Sequence, residues 1–214
     1  MTATDELRQQ AAQLGCALTA EQAERLQDYL ALLQKWNRVH NLTAIRQPGE
    51  MQILHLLDSL AVARWIEVPR LLDVGSGGGL PGIPLAVVRP DMQVTLVDSH
   101  GKKASFLRQA VIELELGNVV VRAQRVETLP PEMRYEGIVA RAFAEAGQLV
   151  GLTRGLLAPG GRWYVMKGVY PADELERLAG ARLDAAHRLE VPGLRAERHL
   201  LILKDSDEQN TGNH

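Results

Sequence analysis

The chain has 214 residues, 46% hydrophobic and 23% charged, with a formal net charge of −2 at pH 7 and a pI near 6.3. A charge so close to zero excludes a generic polyanion binder, so any nucleic-acid contact must come from local basic patches. A single cysteine, Cys16, excludes intrachain disulfides and a cysteine-based zinc site, and no metal site is read from the sequence. The apolar runs are interrupted by charge before the roughly 20 residues needed to span a bilayer, and the polar start, Met1 to Gln10, has no signal-peptide core. The expectation is a soluble, cytoplasmic, monomeric protein without membrane contact.

Residues 1–69 read as an N-terminal helical segment. Thr19 and Gln22 form a capping-box pattern ahead of Leu26, Tyr29, Leu30, Leu33 and Trp36, an apolar stripe at helical spacing that marks a core face. The other face and the exit of that helix carry Arg25, Lys35, Arg38, His40 and Arg46 beside Asn37 and Asn41. A solvated polar face is the simplest explanation, and an RNA contact is the alternative. A second helix is expected from Gly49 to Trp65, burying Ile53, Leu56, Leu57 and Leu60, with His55 and Asp58 as a structural pair.

From Arg70 strands and helices alternate, which predicts a doubly wound, mostly parallel sheet over residues 70–204. Strands are expected at Leu71 to Val74, Val94 to Asp98, Val119 to Arg122, Gly137 to Arg141 and Trp163 to Met166. Helices are expected after Pro81, at Lys102 to Leu114, and through Leu149 and Leu156. Pro159-Gly160-Gly161 reads as a turn before the fifth strand. Arg188 to Val191 and His199 to Lys204 read as a closing strand pair around Pro192-Gly193. The polar stretch 205–214 reads as a disordered tail.

The chemistry concentrates at residues 71–79, Leu-Leu-Asp-Val-Gly-Ser-Gly-Gly-Gly, and at Asp98, which ends the next apolar run. A strand that breaks into glycines before a helix brings backbone N–H groups close to a ligand. An acid about 20 residues further on is placed to accept from ribose hydroxyls. A dinucleotide fingerprint would have a small residue at position 80, and Leu80 disfavours it. Asp73-x-Gly75-x-Gly77-x-Gly79 instead resembles motif I of the class I S-adenosylmethionine-dependent methyltransferases, in which a carboxylate two residues before the first glycine suits a cofactor with an ammonium group.

Further segments narrow the resemblance: Trp36-Asn37-x-x-x-Asn41-Leu42-Thr43, His55 with Leu57-Asp58-Ser59-Leu60, Leu80-Pro81-Gly82-Ile83-Pro84, Asp98-Ser99-x-Gly101-Lys102-Lys103, Arg141-Ala142-Phe143-Ala144 and Lys167-Gly168. In this order, over about residues 20–204, the chain closely resembles the small-subunit ribosomal RNA methyltransferase G family, also called glucose-inhibited division protein B. Gly78, His100 and Lys103 depart from the residues most expected there, conservatively or on a loop. The resemblance implies a Rossmann-like domain with a mostly parallel seven-stranded sheet, an antiparallel terminal strand and preceding N-terminal helices. It also implies methyl transfer from S-adenosylmethionine to nitrogen-7 of one guanosine in 16S rRNA, presented free or in the small ribosomal subunit.

The residues themselves agree with that acceptor. Exocyclic amine methylation generally uses an Asn/Asp-Pro-Pro-aromatic motif after strand four, and this chain has Arg141-Ala142-Phe143-Ala144. Pyrimidine carbon-5 chemistry needs a cysteine nucleophile, and Cys16 has no such context. Guanine nitrogen-7 loses no proton, so no general base is required. On this reading Gly75, Gly77 and Gly79 admit the methionine part, Leu80 shapes the pocket wall, and Asp98 accepts from the ribose. By resemblance, Val126 and Glu127 contact adenine, and Arg141 contacts cofactor or substrate. Lys167, with Arg141, holds an RNA phosphate or the guanine oxygen-6. Arg122, Arg125, Arg134 and Arg198, with Arg38 and Arg46, form an RNA-facing rim. Two other readings stay open: a class I methyltransferase acting on a small molecule or protein, and a non-catalytic cofactor-binding factor in ribosome assembly.

Overall fold

A computed structural model describes residues 2–141, 143 and 145–207. Its first helix, α1 (Ala3–Gln13), lies within the expected helical segment, although the sequence reading gave it no bounds of its own. It is fixed by a capping box, with Thr2 and Asp5 exchanging backbone and side-chain hydrogen bonds, and it buries Leu7 and Ala11. Helix α2 (Ala20–His40) opens on the Thr19–Gln22 capping box and ends at Asn41 in the left-handed conformation. Its stripe of Leu26, Tyr29, Leu30 and Leu33 is buried, with Trp36 packed at the edge.

The expected helix from Gly49 to Trp65 is not regular. It runs as α3 (Pro48–Met51), a π-helical stretch (Gln52–Leu57) and α4 (Asp58–Leu60), followed by a short 3₁₀ turn at Ala63–Trp65. A π-turn advances the phase of the helix, and such turns concentrate at functional sites. Here it accompanies an unbroken buried run from His55 to Leu60, broader than one face of a regular helix.

The sheet contains β1 (Arg70–Val74), β2 (Gln93–Val97), β3 (Val119–Arg122), β4 (Tyr135–Arg141), β5 (Leu157–Lys167), β6 (Ala181–Arg188) and β7 (His199–Asp205), in the order β3-β2-β1-β4-β5-β7-β6. β1 to β5 are parallel, and β7 is antiparallel to both neighbours. Helices α5 (Gly82–Val88), α6 (Gly101–Glu113) and α7 (Ala146–Thr153) make the crossovers. The strand order reverses between β1 and β4, and a crevice opens at the carboxyl ends of strands at such a point.

Three boundaries differ from expectation. Pro159 to Gly161 lie inside β5 as an irregularity, where the pairing jumps from Tyr135↔Leu157 to Gly137↔Arg162, and Gly160 takes φ +74°. The first closing strand is Ala181–Arg188 rather than Arg188 to Val191. Leu189 and Val191 are buried two apart in the connection and so imitate a strand, while the true edge strand mixes small, charged and apolar residues. Asp205 ends β7, and Arg154 bonds Asp205 at 2.6 Å and Asp207 at 2.5 Å, so residues 205–207 are ordered rather than part of the expected tail, whose remaining residues, 208–214, lie outside those described. A short helix, α8 (Ala172–Glu176), was not anticipated. Among the described residues no helix is long and apolar enough to cross a membrane.

The N-terminal helices share one hydrophobic core with the sheet, which joins Leu7, Leu26, Leu33 and Leu57 to Ile83, Leu96 and Phe106. Tyr29 ties α2 to the glycine turn: its hydroxyl donates to the Gly78 carbonyl at 2.5 Å within the buried interior. Tyr29→Phe keeps the ring but strands that carbonyl, so stability should fall by about 1–3 kcal/mol, the cost of an unsatisfied buried acceptor. Urea denaturation measures this, and an unchanged midpoint would show that the contact is incidental.

Candidate active site

Two carboxylates hold the turn after β1. Asp98, at the end of β2, accepts the Gly77 N–H on Oδ2 at 2.9 Å and the His100 N–H on Oδ1 at 2.8 Å. Asp73, inside β1, accepts the Gly82 N–H on Oδ2 at 2.9 Å, which satisfies the first amide of α5. The glycines divide the remaining work. Gly75 has φ +70°, a Cβ built on it would meet nothing within 4 Å, and it lines a cavity. Gly79 has φ +89°, and a Cβ there would strike Ile83 Cδ1 at 2.4 Å, so this glycine serves the packing of α5 beneath the turn.

The structure revises two expectations for this turn. Leu80 is buried in the core and is not part of the cavity wall, because the chain is already descending into α5. Asp73 does not face a cofactor's ammonium group. It is fully covered by the turn, and its Oδ1 has no hydrogen-bond partner. Burial pushes its pKa up to about 7, and the Gly82 amide and the Arg141 charge offset only part of that rise.

The cavity beside Gly75 has a volume of about 310 Å³. Val97, Val126, Phe143 and Leu152 give it apolar sides, and Asp98, Ser99, Gln124 and Glu127 give it polar ones. Val126 is buried and Glu127 exposed, both in the 3₁₀ turn after β3. Each carboxylate oxygen of Asp98 has two lone pairs, so Oδ2 can accept from a hydroxyl while still holding Gly77. Open space over Gly75, a buried acid at the wall and apolar flanks suit a nucleoside. Sequence reasoning did not assign Ser99, Gln124 or Leu152 to this site; the loops after β2 and β3 bring the first two there, and α7 brings Leu152.

A second cavity, of about 400 Å³, lies at the carboxyl ends of β4 and β5. Its wall includes Ile45, Leu54, His55, Asp58, Arg141, Lys167 and Arg198. Asp58, 3% exposed, organises the cations: its Oδ1 accepts from Arg198 Nε at 2.9 Å, and its Oδ2 lies 3.4 Å from Arg141 Nη1, which also donates to the Leu54 carbonyl at 2.9 Å. Lys167 Nζ donates to Glu174 at 2.9 Å and to the Phe143 carbonyl at 3.2 Å, so its charge is already matched by α8. Glu174, which the sequence did not single out, also accepts from the Ala146 amide at the start of α7.

His55 is buried on the same wall. Its Nε2 lies 3.1 Å from the Thr43 hydroxyl, and its Nδ1 has no hydrogen-bond partner. Burial and the nearby Arg141 charge push its pKa down to about 4, so the ring is neutral at physiological pH. The expected His55–Asp58 structural pair is therefore two separate wall residues, one bonded to Thr43 and the other to arginines.

The remaining basic residues lie apart. Arg125 lines the first cavity, and Arg122 ends β3, exposed. Arg38 is exposed in the last turn of α2, and Arg46 donates to Asn41 Oδ1 at 3.1 Å, next to the cavity residue Ile45. Arg134 is engaged with the carbonyl of its neighbour Met133.

Comparison with known proteins agrees with this architecture. The family model described as GidB, rRNA small subunit methyltransferase G, matches residues 22–201. A protein of Pseudomonas fluorescens named ribosomal RNA small subunit methyltransferase G is 53% identical over 201 residues, covering 94% of each chain. A protein of the same name from Aromatoleum aromaticum is 53% identical over 204 residues, covering 92% of this chain and 97% of its own. Among solved structures, a SAM-dependent methyltransferase from Aquifex aeolicus aligns over 80% of this chain and 97% of its own, with a TM-score of 0.60 and 16% identity. The glycopeptide N-methyltransferase MtfA aligns over 70% and 93% respectively, with a TM-score of 0.57 and 13% identity. At such identities these two show the shared fold.

The raised pKa of Asp73 has a signed consequence for stability. The unfolded carboxyl titrates near 4 and the folded one near 7. Over that interval the folded state holds the extra proton, so the Asp73 contribution is complete below about pH 4 and is lost as pH rises through about 7. Asp73→Asn keeps an acceptor for Gly82 without titrating. Urea denaturation across pH 4 to 8 should show wild type losing stability relative to the variant up to about pH 7, then a constant difference. A constant difference throughout would contradict the buried, protonated carboxyl.

Proposed function

This chain belongs to the rRNA small subunit methyltransferase G family, and from that premise we propose that it transfers a methyl group from S-adenosylmethionine to nitrogen-7 of a single guanosine in 16S ribosomal RNA. The RNA is taken free or in the small ribosomal subunit, in the cytoplasm, by a monomer. One observation carries the reading of the site. The two cavities flank the carboxyl end of β4: Arg141, its last residue, lines one, and Phe143, two residues on, lines the other.

When bound, S-adenosylmethionine supplies a methyl group made electrophilic by its sulfonium. The chain's part is placement. Gly75 would admit the methionine part, and Asp98, Val126 and Glu127 would hold the nucleoside end, with the Asp98 carboxylate accepting from ribose and the apolar sides enclosing the adenine. The guanine would enter the second cavity, which Arg141 and Arg198 make electropositive and Asp58 keeps ordered. Nitrogen-7 attacks with its own lone pair and releases no proton. Rate enhancement then comes from alignment, water exclusion and fixed charge, and His55, held neutral by burial, has no proton to take. The cationic second cavity favours RNA over a small-molecule acceptor, and the built first cavity favours an enzyme over a silent assembly factor.

Isothermal titration calorimetry tests the cofactor end. S-adenosylmethionine should bind and NAD should not. Asp98→Ala should weaken binding by about 1.5–3 kcal/mol, the range for losing a charged hydrogen-bond partner. Unchanged affinity would remove Asp98 from the ribose contact, and tight NAD binding would overturn the cofactor assignment.

Single-turnover transfer of radiolabelled methyl to small-subunit RNA tests the acceptor. With both ligands saturating, the rate should be nearly flat from roughly pH 6 to 9, because no group on the reaction path is titrated. A general-base enzyme would lose about tenfold per unit below the pKa of its base. Such a slope, abolished by replacing His55, Asp58 or His199 while both ligands still bind, would contradict nitrogen-7 as the acceptor.

A further inference from the structure

Large apolar side chains left in water are few among the described residues, and two of them are adjacent: Val169, 74% exposed, and Tyr170, 41% exposed. They directly follow Lys167 and Gly168, which line the second cavity, so the pair continues the chain from its wall. The pair is held in place. His199 Nδ1 donates to the Gly168 carbonyl at 2.7 Å, and the His199 ring meets Tyr170 edge-on, with centroids 5.8 Å apart at 67°. His199 is itself anchored at the start of β7, opposite Lys167 of β5. Its neighbour in the chain, Arg198, puts a guanidinium on the cavity wall, where it donates to Asp58.

An exposed aromatic ring has no role in the core. The ring, braced from one side by a second ring and next in the chain to a β-branched apolar residue, has the composition of a surface on which a nucleobase stacks. A base drawn out of an RNA strand into a cavity leaves its neighbours unstacked at the mouth, and their exposed π-faces need a replacement partner.

Building on the reading that the second cavity receives the target guanine, we propose that Tyr170, braced by His199, is a stacking platform for the nucleotide adjacent to that guanine in the same RNA strand. The contact is made to the face of a base, so it is tolerant of sequence. It contributes to RNA capture and not to the methyl-transfer step. Tyr170 has no part in the cofactor site or the cation cluster.

The test is a cycle between Tyr170 and the RNA. Methylation of small-subunit RNA is measured for wild type, Tyr170→Ala and Tyr170→Phe, on intact RNA and on RNA carrying an abasic residue immediately 5′ or 3′ of the target. Tyr170→Ala should raise KM for RNA about five- to a hundredfold, the span that base stacking on an aromatic ring supplies. Its kcat and its S-adenosylmethionine affinity should stay unchanged, and Tyr170→Phe should restore KM. One of the two abasic substitutions should cost wild type a similar factor and cost Tyr170→Ala almost nothing more. Equal abasic costs in both proteins, or a Tyr170→Ala variant with wild-type KM, would overturn the platform. Wild-type methylation at guanine nitrogen-7 of intact RNA is scored first. Its absence would refute the functional reading beneath the proposal, whereas its presence with additive costs would refute the stacking contact alone.

Discussion

Two carboxylates taken out of water hold one turn of backbone, and the candidate cofactor cavity takes its position from it. Removing an ionised carboxylate from solvent costs several kcal/mol unless hydrogen bonds replace its hydration. Asp98 meets that cost with the Gly77 and His100 amides and with His100 Nδ1 at 3.0 Å. Asp73, with one amide and one unpartnered oxygen, meets it in part by holding its proton up to about pH 7. The turn between them directs Gly75 to open space and sends Gly79 and Leu80 into the core. Tyr29 closes the assembly from α2, so the N-terminal helices brace the cofactor side of the site as well as bearing basic residues.

The second cavity follows a different electrostatic arrangement. Asp58 is a single buried acid shared between Arg141 and Arg198, which leaves a net positive wall. A lone buried guanidinium would be costly, and a one-to-one pair would be neutral. One acid for two arginines keeps both oriented while preserving a charge that an RNA phosphate or base oxygen can use. The π-helical stretch carries His55 to this wall and α4, which follows it directly, carries Asp58, from a segment whose apolar pattern reads as an ordinary helix. Lys167 is arranged otherwise: Glu174 already neutralises it, so its contribution to RNA binding would require exchanging partners.

Most of the sheet was legible because β1 to β5 are flanked by glycines, prolines and charged helix starts, and the antiparallel closing strand came with the family resemblance. The Gly75–Asp98 spacing was legible for the same reason, since both residues sit at strand ends that the pattern locates. What escaped depends on tertiary packing. Leu189 and Val191 imitate a strand because they are buried from a loop, and the edge strand Ala181–Arg188 lacks a dry face of its own. Asp73 lies in the expected motif, yet which side of the turn its carboxylate occupies depends on α5 packing beneath it. His55 and Asp58 are neighbours in sequence whose partners, Thr43 and two arginines, come from three other segments.

The central claim is that these two cavities join a methyl donor to one guanine in small-subunit rRNA. Its most direct measurement is chemical cleavage at 7-methylguanosine in small-subunit rRNA from cells lacking the gene, complemented by wild type or by Arg141→Ala. The account predicts that one cleavage site disappears on deletion, returns with wild type and stays absent or strongly reduced with Arg141→Ala. An unchanged cleavage pattern in the deletion strain would contradict it.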